Sequence, residues 1–66
     1  MKEKIIQLIK ESKETYLLHC SNARKKLAKN YDQMTAQQIA GETIFIQDME
    51  SRAYALSLLL EEIDEL

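Results

Sequence analysis

No proline interrupts these 66 residues, tryptophan is absent, and glycine and cysteine occur once each. Without proline, and with few β-branched runs, the chain carries no internal helix stop. A single cysteine cannot close an internal disulfide, so a reducing compartment is the simpler expectation. No stretch approaches the roughly 20 apolar residues of a membrane span. The segment from Met1 to Gln7 is too polar to be a signal peptide, which leads us to expect a cytoplasmic protein. Acidic and basic residues nearly balance at a net charge of −2, so there is no general pull toward nucleic acid or an anionic membrane surface.

Catalytic and metal-binding patterns are missing as well. The sequence has no HxxxH, CxxC or Glu-x-x-His spacing. His19 and Cys20 are adjacent, which on a helix turns them about 100° apart and rules out a two-ligand set from that pair alone. With one histidine and one cysteine there is little from which to assemble a nucleophilic triad. The expectation is a protein with no catalytic residue, metal or cofactor, in which Cys20 is half-buried beside a rim histidine.

What is abundant is Leu, Glu, Lys, Gln and Ala, which suit helix nearly throughout. The most informative stretch is Tyr31 to Ile39. Thr35 reads as an N-cap whose hydroxyl accepts the Gln38 amide N–H, while the Gln38 side chain reaches back to Thr35, a reciprocal capping box. Met34 and Ile39 are spaced as a hydrophobic staple around it. The prediction is an all-α chain, a single helical hairpin over residues 1–66, with helix one over about 2–31, a turn at 32–35 and helix two over about 36–65.

At 100° per residue, Ile5, Ile9, Ser12, Tyr16, Cys20, Ala23 and Leu27 fall on one side of the first helix, with Tyr31 at the margin. Ile6, Leu8, Leu17 and Leu18 lie off that stripe. In the second helix Ile39, Ile46, Ala53 and Leu60 repeat every seven residues, as do Glu42, Met49, Leu56 and Ile63, the pattern of a packed antiparallel pair. Folding at Asp32 to Met34 then sets Leu27 near Ile39, Ala23 near Ile46, Tyr16 near Met49 and Ala53, and Ile5 near Ile63. The same register brings Lys2 and Lys4 toward the acidic end at Glu61, Glu62, Asp64 and Glu65, where carboxylates sit badly at a helix C-terminus. Gly41 falls inside the second helix, where it costs about 1 kcal/mol relative to alanine and marks a close helix contact.

A second apolar group, Ile44, Phe45, Ala55, Leu59 and Leu66, widens the arc of helix two beyond what one neighbour can cover. A domain of this size draws roughly 3 to 5 kcal/mol from its core. The antiparallel two-helix hairpin is therefore expected to complete a bundle, either with a second copy or with another protein. The run Arg24, Lys25, Lys26 and Lys29 scatters around three sides of its helix with no interleaved aromatics, and reads as a solvated face.

The segment Ala23 to Ile63 resembles the small co-chaperones of type III secretion needle subunits. The resemblance is carried by Ala23-Arg24-Lys25-Lys26-Leu27 with Asn30, by Gln37-Gln38, and by Thr43-Ile44-Phe45-Ile46 with Met49-Glu50. It departs from the family at the acidic end before Leu66, where some relatives continue with apolar or aromatic residues. It implies a hairpin that binds a larger helical-repeat chaperone in the bacterial cytoplasm, the pair keeping the needle subunit unpolymerised before export. On that reading Ile44, Phe45 and Leu59, with Leu17 and Leu18 as companions, contact the partner chaperone. The competing expectation is a homodimeric four-helix-bundle regulator that binds RNA or DNA. A hairpin phosphatase of response regulators would require an acid-and-amide motif that the second helix lacks.

Overall fold

The computed structural model describes Met1 to Glu65. Two long helices, α1 (Lys2–Asn30) and α2 (Ala36–Glu65), pack side by side in an antiparallel hairpin, with no strand among the described residues. The result is a rod of 48 × 14 × 12 Å.

The reversal is made without glycine. Asn30 leaves the helical region at φ −119° and ψ 5°, Tyr31–Gln33 tighten into a single 3₁₀ turn, and Met34 is extended at φ −98° and ψ 146°. The first helix thus ends one residue before the predicted Tyr31, because the 3₁₀ turn already takes up Tyr31. No described residue has a positive φ apart from or at glycine, which is how a chain whose one glycine lies elsewhere still turns sharply.

The capping box forms in both directions. The Gln38 amide N–H donates to Thr35 Oγ1 at 3.1 Å, and the Thr35 N–H donates to Gln38 Oε1 at 2.9 Å. The first helical bond, Ile39 N–H to Thr35 O at 3.0 Å, follows directly. Thr35→Ala leaves the Gln38 N–H without its acceptor and should lower stability by about 1 kcal/mol. A urea titration followed by circular dichroism checks this, and an unchanged midpoint would remove the cap from the account of how α2 starts.

Burial follows a seven-residue repeat in both helices. On α2 the eight seam positions from Ile39 to Ile63 are all buried or half-buried, as the heptads predict. On α1 the inward positions of the repeat are Ile6, Ile9, Lys13, Tyr16, Cys20, Ala23, Leu27 and Asn30, with Ser21 half-buried beside them. Two members of the expected stripe are corrected: Ile5 and Ser12 are exposed, and Ile6 and Lys13 take their places. The physical reason is the mismatch between 3.6 and 3.5 residues per turn, which moves a straight stripe about 20° per heptad off a seam that follows its neighbour. Lys13 serves in the seam through its aliphatic stem.

The core is small. Cys20, Ala23, Ile46 and Met49 form its centre, Tyr16 and Leu27 pack against them, and Ala53 at 3% exposure is the most enclosed residue described. Small side chains on α1 opposite Ile46 and Met49 allow close approach of the helices but bury little area.

Candidate functional site

Polar bridges tie α1 to α2 across the seam. Glu50 of α2 accepts the Cys20 thiol, with Sγ to Oε1 at 3.5 Å, and pairs with the Arg24 guanidinium. Lys26 Nζ meets Glu42 Oε1 at 2.9 Å, which satisfies the one acidic seam position. Among the described residues no ion pair joins Lys2 or Lys4 to the acidic end of α2. Two of the four clustered basic side chains, Arg24 and Lys26, are thus already paired with carboxylates on the other helix.

The two edges of the hairpin differ. Columns spaced by seven residues place Leu17, Arg24 and Tyr31 on one edge, where Tyr31, Arg24, Leu27 and Ile39 line a shallow apolar groove. Ile5, Ser12, His19 and Lys26 run along the other, facing Phe45, Arg52 and Leu59 of α2; His19, Lys26, Glu42 and Phe45 border a groove there. Midway along this second edge Arg52 donates from Nε to Asp48 Oδ1 at 3.2 Å and lies over the Tyr16 ring, 5.7 Å from its centre. Hydrogen bonding to Tyr16, then to Asp48, raises the Arg52 pKa above its ordinary value.

All five residues expected to meet a partner are exposed, but the hairpin does not gather them. Phe45 (41% exposed) and Leu59 (40% exposed) share the second edge. Leu17 stands on the opposite edge, while Leu18 and Ile44 face outward from the backs of different helices. Antiparallel pairing is the cause, since it places the Leu17 column of α1 on the side of the seam away from Phe45. Leu66, the last member of the expected apolar arc, lies outside the described residues. Further apolar side chains stand exposed at Ile5, Leu8, Tyr31, Tyr54 and Leu58. Counting α1 in heptads back from Cys20 and Ala23, instead of at a fixed 100° per residue, is the signal that would have placed Ile5 on the surface.

The exposed surface is large for the mass. A compact monomer of 7.7 kDa exposes roughly 4,300 Å², whereas this hairpin exposes 5268 Å², an excess of roughly 950 Å². Among the described residues no group of three or more His, Cys, Asp or Glu side chains is arranged to hold a metal ion, and no helix is long and apolar enough to cross a membrane. What the arrangement does present is exposed apolar side chain on several faces, among them Leu8, Leu18, Ile44, Phe45, Leu58 and Leu59. Comparison of the chain with family models, with curated proteins and with solved structures gives no match.

Proposed function

We infer that this chain is a small chaperone subunit of a type III secretion system, which acts in the bacterial cytoplasm by pairing with a larger helical-repeat chaperone so that the needle subunit stays unpolymerised before export. The observation that carries this reading is the apolar surplus: a hairpin with a handful of buried side chains and large apolar residues exposed on every side. A helical-repeat partner supplies helices to cover such a surface.

The residues of the resemblance divide in a useful way. Ala23, Leu27, Asn30, Ile46 and Met49 lie in the seam, and Arg24, Lys26 and Glu50 make bridges between the helices, so these serve the hairpin itself. Ile44 and Phe45 have no such duty and are exposed, which leaves them as the apolar residues of that set free to recognise a partner.

Changing Phe45 and Leu59 together to serine should abolish co-purification with a co-expressed helical-repeat secretion chaperone while circular dichroism of the hairpin stays unchanged. Undiminished co-purification would reject the assignment. Nucleic-acid binding is tested alongside by electrophoretic shift across a salt series, because phosphate contacts must weaken steeply with salt.

A further inference from the structure

Gly41 is the starting point. It sits inside α2 at ordinary helical φ, and a Cβ built on it meets nothing within 4 Å. The close helix contact that its position suggests is therefore not made inside the hairpin.

Gly41 belongs to a second stripe on α2, made of Gln38, Gly41, Phe45, Asp48, Arg52, Ala55, Leu59 and Glu62, at alternating spacings of three and four residues. Every member is exposed. Each member precedes a seam residue by one position, so at 100° per residue the stripe lies about 100° around the helix from the seam with α1, well placed for a second neighbouring helix.

The order of residues along this stripe is complementary to its own reverse. About a centre at Glu50, Asp48 is placed symmetrically with Arg52, Phe45 with Ala55, Gly41 with Leu59, and Gln38 with Glu62. Laid antiparallel against a second copy of itself, the stripe meets acid with base, phenylalanine with alanine, and leucine with glycine outward from the centre, and glutamine with glutamate at each end. Large side chains facing small ones is the condition for interdigitation without voids, and a contact identical from both sides is what a two-fold axis requires. The Glu50 carboxylate does not crowd the axis, because it is turned to the other edge and held by Arg24 and Cys20.

We propose that a second copy of this chain docks on this stripe, α2 against α2 of its partner, antiparallel and centred on Glu50. An interface of standard size takes roughly 800 Å² from each partner, and the hairpin as a whole, exposing roughly 950 Å² more than a compact monomer of its mass, has surface enough to give that. On α1 the same edge presents the polar Ser12, His19 and Lys26, with exposed Ile5 only at its far end, so the contact is centred on α2. Because Phe45 and Leu59 lie in the stripe, self-pairing and capture by a larger chaperone are mutually exclusive. The proposal itself does not depend on that chaperone.

The register is tested by a size swap. In sedimentation equilibrium of the full chain at tens of micromolar, the wild type runs as a dimer. Phe45→Ala, which leaves alanine facing alanine, and Ala55→Phe, which sets phenylalanine against phenylalanine, each weaken the dimer by about tenfold or more. The double variant Phe45→Ala with Ala55→Phe restores large against small and returns the dissociation constant to within about threefold of wild type. All four positions of the paired helices concerned are exposed in the hairpin, and circular dichroism confirms that each variant keeps its helix. A wild type that stays monomeric overturns the proposal and hands the stripe to a different protein; a double variant no tighter than the single ones overturns the register, and with it the assignment.

Discussion

Ile46→Asp is expected to leave a chain with little residual helix at neutral pH. Ile46 is 7% exposed at the centre of the core, against Cys20, Ala23 and Met49. The substitution removes apolar burial of about 2 to 4 kcal/mol and places a carboxylate among apolar side chains where the nearby Arg24 is already engaged by Glu50, at a cost of several kcal/mol more. A core of this size supplies roughly 3 to 5 kcal/mol in all, so the loss exceeds the reserve. Burial disfavours the charged form, so the introduced carboxyl would have a raised pKa in the folded state, and the destabilisation should ease as the pH is lowered through it. Far-ultraviolet circular dichroism against pH measures both effects. A variant that melts cooperatively near the wild-type temperature at neutral pH would show that Ile46 is not enclosed by α1.

Met49→Ala should cost about 2 to 4 kcal/mol, half or more of the available stability, because the hairpin has too few neighbouring side chains to fill the space left. The control is Leu58→Ala. Leu58 is 43% exposed on the back of α2, outside both the seam and the second stripe, so the same kind of truncation there should change stability by less than about 0.5 kcal/mol. Urea midpoints of the two variants at one protein concentration give the comparison. Equal losses at both positions would mean that the back of α2 is as enclosed as the seam, and that the free surface described above is already covered.

Both predictions rest on the seam, and the seam shows how much of the molecule is legible in sequence. On α2 the repeat Ile39, Ile46, Ala53 and Leu60, with Glu42, Met49, Leu56 and Ile63, is regular enough to name all the enclosed positions but half-buried Ser57. On α1 the inward positions are mixed with cysteine, alanine, lysine and asparagine. Hydropathy there does not distinguish a straight stripe from one that follows a partner, and the fixed 100° step selected Ile5 and Ser12 where Ile6 and Lys13 are enclosed. Apolar character off the seam is what singles out Ile44, Phe45, Leu59, Leu17 and Leu18 for partner contact. That criterion finds exposed side chains but does not say which of them share a face, so it puts Leu17 with Phe45 although opposite edges carry them.

Local chemistry by itself determined that the chain is helical, where it reverses and how α2 begins, since capping, staple and propensity act over a few residues and are written in consecutive letters. The heptads of α2 determined which of its faces meets a neighbour. Only the tertiary structure decided which face of α1 answers it, that Glu42 and Glu50 are neutralised by Lys26 and Arg24, and that nothing inside the hairpin approaches Gly41. Those features depend on the relative rotation and register of two helices, quantities that no single helix contains.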